Sequence, residues 1–189
     1  MKIIFGIGNP GSRYKNNRHN IGFMFLDSLT QKYSLSFSPS KSYYYLAKGD
    51  LEGEDFSLIK PATFVNNSGI AASGAIETYK VDFKDFLVIV DDVNLDVSSY
   101  RVRASGGDGG HNGLSSIIYH LQTDQFPRIR IGVGNDFEKG SMADYVLSDF
   151  HEEEIKLLTD VFDQCITLVD DFIKGGISKM LDTHSNLKN

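Results

Sequence analysis

A single cysteine, Cys165, excludes an intrachain disulfide. No apolar run approaches the roughly 20 residues a membrane helix needs, and no basic segment followed by a long apolar stretch opens the chain. Neither a membrane anchor nor a signal peptide is therefore expected, and the cytoplasm is the expected compartment. The sequence has no H-x-x-x-H pair and no cysteine-based ligand spacing, the usual marks of a zinc site. It also has no G-x-S-x-G elbow of the kind that carries a nucleophilic serine. What remains is a chain of 189 residues, 41% hydrophobic, long enough to bury one core without covalent staples. A single domain over 1–189 is expected.

The net charge of −6 argues at first against a nucleic-acid partner, but the charge is unevenly spread. Residues 1–135 carry 14 basic and 13 acidic side chains, a net of +1, whereas residues 136–189 carry 5 and 12, a net of −7. The acidity belongs to the C-terminal segment and leaves room for a basic surface elsewhere. From His151 onward, Ile155, Leu158, Val161, Phe162 and Ile166 fall on one helical face, so the acidic residues read as the solvated side of a helix packed on the core. Gly175-Gly176 separates a last short helix.

The remaining elements alternate. KIIFGI is a short apolar strand, and Ile21, Met24, Phe25 and Leu29 give helical spacing between about His19 and Tyr33. YYYLAKGDLEGEDFSLIKP reads as a hairpin ended by Pro61, and a helix opens on the capping types Asn66, Asn67 and Ser68. FLVIVDD has the continuous apolar run of a strand covered on both faces. SYRVRAS and RIRIGVG are further strands, separated by the glycine loop GGDGGHNG and the helix LSSIIYHLQ. The order predicts an α/β fold, a twisted mixed, largely parallel β-sheet flanked by helices.

Gly6-Ile7-Gly8-Asn9-Pro10-Gly11 satisfies G-x-G-x-x-G, but a dinucleotide site needs a helix to begin at the glycines and an acid to end the next strand. Neither is present: polar residues run from Ser12 to Arg18 before helical spacing begins. A tight turn after the first strand is the better reading. It leaves unexplained a set of polar residues that recur after strands: Asn9, Asn66, Asp91, and His111-Asn112. In an open α/β sheet the carboxyl ends of parallel strands share one edge, where ligands bind. Singly, each residue has an ordinary role as turn, cap or strand end; together they predict a crevice.

The stretches GIGNPGSRYKNNRHNIGF, KPATFVNNSG, VDDVNL, SGGDGGHNGLSSI, RIRIGVG and DYVLSDF run in order between residues 3 and 150, and on them the chain resembles the bacterial peptidyl-tRNA hydrolases. The resemblance covers almost the whole chain. It implies an α/β enzyme that hydrolyses the ester joining a peptide to the 3′ ribose of tRNA, with no metal, no cofactor, no membrane association, no obligate protein partner, and a monomeric state. It places His19 at the catalytic histidine and Asp91 at its supporting acid. Asn9, Asn66 and Asn112 fall at three asparagines lining the crevice, with His111 beside them and Tyr14 and Val65 among the substrate-binding positions. Arg103 and Arg130 fall where basic residues grip tRNA phosphate. Val65 stands where methionine is usual, and Asp92 follows Asp91 directly, leaving two acids for one role.

The chemistry suits these residue types. Ester hydrolysis needs an activated water, and histidine titrates nearest working pH. A carboxylate on the other ring nitrogen fixes the tautomer and stabilises the imidazolium. Asparagine offers uncharged donors and acceptors to an amide substrate or a developing oxyanion. Two alternatives stand beside this reading: a metal-dependent hydrolase using His19, Asp91 and His111, and an RNA-binding module without catalysis.

Overall fold

The computed structural model describes residues 1–187; the last two residues of the expected 1–189 domain lie outside the described residues. Strands β1 (Lys2–Gly6), β2 (Ser38–Pro39), β3 (Tyr44–Leu51), β4 (Glu54–Pro61), β5 (Phe86–Asp92), β6 (Tyr100–Arg103) and β7 (Arg128–Gly132) form one sheet of order β2-β3-β4-β1-β5-β7-β6. The central four, β4-β1-β5-β7, run parallel, while β2-β3, β3-β4 and β6-β7 pair antiparallel at the flanks. The sheet is therefore mixed, with its parallel part in the middle.

All seven residues of β5 are buried, as its apolar run predicts for a strand between two others and beneath helices on both faces. Period-2 alternation divides its side chains. Leu87 and Ile89 join the core under α1 (Ile21–Tyr33) and α5 (Glu152–Leu187), whereas Phe86, Val88 and Val90 join the core under α2 (Ser68–Tyr79) and α3 (Asn112–Leu121). Continued past the apolar run, the same alternation turns Asp91 and Asp92 to opposite faces.

The first glycines serve the α1 layer. A Cβ on Gly6 would come within 2.6 Å of the Gly22 carbonyl oxygen, and one on Gly22 within 2.5 Å of the Ile7 carbonyl oxygen. Only glycine lets the end of β1 and the start of α1 approach so closely. α1 begins at Ile21, after 3-10 turns at Ser12–Tyr14 and Arg18–Asn20, so no α-helix starts at the glycines themselves, where a dinucleotide site requires one.

Local expectations differ in three places. The helix expected to open on Asn66 begins at Ser68, after a 3-10 turn over Val65–Asn67, and Asn67 makes no side-chain capping bond. Ile155 is exposed, because the first turn of α5 projects beyond the core, while Leu158 and Val161 are buried. A five-residue helix, α4 (Met142–Val146), interrupts the segment between β7 and α5. α5 is broken at Gly176, whose φ of 71° lies outside the helical region, as the glycine pair predicts. Among the described residues, no helix is long and apolar enough to cross a membrane.

Candidate active site

Asp91 is the last residue but one of β5 and is 3% exposed. His19 lies in the 3-10 turn leading into α1, and its Nδ1 is 3.0 and 2.9 Å from the two Asp91 carboxylate oxygens. Burial alone would push the Asp91 carboxyl up, but His111 and His19 outweigh it and hold the group well below the usual carboxylate range. Burial pulls His19 down, and the Asp91 charge and hydrogen bond reverse this, so its pKa sits above the ordinary 6.5. Nδ1–H donates to Asp91, which leaves Nε2 as the basic nitrogen. Asp92 is engaged elsewhere: its Oδ2 accepts from Arg130 Nε at 2.7 Å and its Oδ1 from the Asn94 N–H at 2.9 Å. Geometry thus assigns Asp91 to the histidine and Asp92 to the arginine.

His111 stands immediately before α3 and also reaches Asp91, its Nε2 2.8 Å from Oδ1. The His19 and His111 rings are 5.0 Å apart, centroid to centroid. Both line a cavity of about 400 Å³ together with Asp91, Asn112 and the α4 residues Met142 and Val146. One ligand atom each from His19, Asp91 and His111 lies within 4.8 Å of the others, close enough to meet around one cation. Their hydrogen bonding does not suit one. Nδ1 of His111 already accepts from the Gly113 and Leu114 N–H groups, so Nε2 keeps the proton it would have to surrender to a metal.

Of the three asparagines only Asn112 lines this cavity; Asn9 and Asn66 lie outside it. Asn9 is buried, and its Oδ1 accepts from the Val65 N–H at 2.9 Å, tying the end of β1 to the turn before α2. Val65 is buried beside Gly113, where a Cβ would come within 2.9 Å of Val65 Cγ1 and Ile7 Cγ2. Asn66 and Asn112 are exposed, Asn66 in the 3-10 turn and Asn112 at the mouth of the cavity. Tyr14 meets Phe64 edge-on, with centroids 6.2 Å apart, on the Val65–Asn66 side.

Arg103 and Arg130 project from neighbouring strands. In the antiparallel β6-β7 pair, Arg101 lies opposite Arg130 and Arg103 opposite Arg128, which puts all four on one face. They line a second cavity of about 380 Å³ with the glycine loop, next to the first.

A model of the peptidyl-tRNA hydrolase family matches residues 3–189. The chain belongs to the peptidyl-tRNA hydrolase family. It is 41% identical over 185 residues to the peptidyl-tRNA hydrolase of Lachnospira eligens, covering 98% of this chain and all of that one. It is 43% identical over 178 residues to that of Chlorobaculum parvum, covering 94% of each. The crystal structure of peptidyl-tRNA hydrolase from Acinetobacter baumannii superposes with a TM-score of 0.91 at 30% identity, over 97% of this chain and 93% of that one.

Four residues that sequence reasoning passed over support the site of this family member. Asn20 clamps the Asn9 backbone from both sides, its Oδ1 accepting from the Asn9 N–H and its Nδ2 donating to the Asn9 carbonyl. Arg18 is buried, donates to the Val133 carbonyl and to both Glu154 oxygens at 2.7 and 2.8 Å, and stacks on Tyr145 and Phe150. Arg128, 1% exposed, donates to the carbonyls of Gly107, Asp124 and Phe126 and so anchors the glycine loop. Burial, with Arg130 nearby, lowers its pKa to about 10. Phe64 is exposed against Tyr14. Arg18 and Asn20 flank His19 in the motif already singled out, and that adjacency was the available signal.

Proposed function

We propose that this chain hydrolyses peptidyl-tRNA with a water activated by His19, returning free tRNA for reuse. The observation that carries the reading is the bond from His19 Nδ1 to the buried Asp91, which leaves Nε2 to take the proton of a water in the adjoining cavity. As the water oxygen adds to the ester carbonyl carbon, its proton passes to Nε2 and the imidazolium is held by Asp91. The tetrahedral intermediate then collapses, the bond to the ribose oxygen breaks, and that oxygen recovers the proton from His19.

Asn112 donates to the water or to the oxyanion from the mouth of the cavity. Asn9 spends its Oδ1 on Val65, so its amide nitrogen is the end offered to the peptide, with Asn66 supplying the second amide. Tyr14, against Phe64, and Val65, bonded to Asn9, stand on the side assigned to the peptide, and His111 lines the cavity. Arg103 and Arg130 bind a tRNA phosphate through charge-assisted contacts. All these groups come from one chain, so a monomer suffices, and a substrate that arises in translation favours the cytoplasm.

The test is incubation with an N-acetylated aminoacyl-tRNA. Release of uncharged tRNA and the N-acetyl amino acid, undiminished by a strong chelator, is the expected result. Tight binding without release would favour an RNA-binding module, and loss of release on chelation would favour a metal-dependent hydrolase.

A further inference from the structure

His111 is bonded at both ring nitrogens within the protein. Its Nδ1 lies 3.1 and 3.2 Å from the Gly113 and Leu114 N–H groups, the N-cap arrangement of α3. A ring nitrogen that accepts two backbone N–H bonds carries no proton, so the proton of the neutral ring is on Nε2 and is donated to Asp91 Oδ1 at 2.8 Å. His19 is the opposite tautomer, with its proton on Nδ1. Asp91 therefore accepts from two imidazoles, one in a partly exposed turn and one fastened to the start of a helix. Gly113 helps to fix the second, since a Cβ there would come within 3.0 Å of His111 Cε1.

We propose that His111 is a positioning residue: a helix cap whose fixed Nε2–H holds the Asp91 carboxylate in place and tempers the pull of that carboxylate on His19. This deepens the reading of His19 and Asp91 as the hydrolytic pair and rests on it. Donation from His111 spreads part of the Asp91 charge away from His19. Without it, Asp91 stabilises the His19 imidazolium more strongly, and the base is neutral over a smaller range of pH.

The other charges around the pair face away from it or into solvent. Asp92 faces Arg130, Arg18 turns to Glu154, the Asp108 carboxylate accepts from the Gly110 N–H, and Asp144 on α4 is exposed.

His111→Asn separates the two roles. Asparagine Oδ1 occupies the topological place of the histidine Nδ1 and keeps the cap, but the side chain lacks the far edge that reaches Asp91. His111→Ala loses both contacts. In His111→Asn the acid limb of the kcat/KM profile on N-acetylated aminoacyl-tRNA is expected to move up by about half a pH unit or more, a fraction of the effect of a neighbouring charge. Its melting midpoint is expected to stay near that of the unchanged protein. His111→Ala is expected to show the same limb and a lower midpoint.

The His19 ring titration, followed by NMR without substrate, should rise in step, and a two-bond nitrogen–proton spectrum should place the His111 proton on Nε2. A His111→Asn acid limb and His19 titration that superimpose on those of the unchanged protein would overturn the proposal, as would a proton on His111 Nδ1. Absence of hydrolysis by the unchanged protein would refute the functional reading, and the NMR measurements would still test the role of His111.

Discussion

At the scale of single residues, the site depends on how one buried carboxylate is shared. Asp91 is held ionised by its histidines, and it raises His19 in turn. In the proposed mechanism the working base is the neutral imidazole, so kcat/KM is expected to fall as pH drops through the raised His19 pKa. Asp91→Asn removes the charge that raises it and offers His19 Nδ1 no carboxylate to fix the tautomer. Its kcat is expected to fall by at least ~10²-fold, with the acid limb shifted to lower pH; a pH–rate series checks both signs. Much of this pair was legible in the sequence, through the order of the motifs and the chemistry of the residue types. The choice of Asp91 over Asp92 became clear only when strand alternation sent the two to opposite faces, one toward a histidine and the other toward Arg130. The double engagement of His111 was not legible, because its cap is local but its bond to Asp91 joins α3 to β5.

Between elements, close packing delivers the histidine. The approach of Gly22 to Ile7 fixes the start of α1 against the end of β1, and His19 lies one turn before it. Gly22→Ala would place a methyl group against backbone that has no room to yield, and a destabilisation of roughly 1–3 kcal/mol is expected for such overpacking, measured as a lower midpoint in denaturant together with a reduced kcat.

A second junction joins residues 16–18 to 147–150. The Arg18 N–H donates to Ser148, the Phe150 N–H donates to Asn16, and the Arg18 guanidinium grips Glu154. Glu154→Ala leaves a buried guanidinium without its carboxylate and is expected to cost roughly 1.5–3 kcal/mol, the range for hydrogen bonds to charged groups, checked by thermal unfolding. Strands such as FLVIVDD and the β3-β4 hairpin were legible because their signals are local. α4 was not, since its five residues are too few to show a helical period. The Asn66–Ser68 capping signal proved ambiguous because a 3-10 turn took Asn66 and Asn67 first.

At the scale of the whole molecule, the sheet sorts charge as well as apolar surface. The net −7 of residues 136–189 belongs to the segment that includes α5, on the face opposite α2 and α3, while Arg101, Arg103, Arg128 and Arg130 gather beside the glycine loop. Overall acidity therefore coexists with a local basic surface, the one proposed to receive tRNA phosphate. Arg103→Ala is expected to weaken tRNA binding, reduce the salt slope of log K by about 1, and spare a short ester that lacks the tRNA body. Titrations at several salt concentrations check this, and equal losses on both substrates would contradict it.

The most direct measurement is single-turnover hydrolysis of N-acetylated aminoacyl-tRNA by His19→Ala, with tRNA affinity measured on the same sample. The expected result is unchanged affinity with hydrolysis reduced by at least ~10²-fold, the contribution of a positioned general base. Hydrolysis at the rate of the unchanged protein would contradict the account.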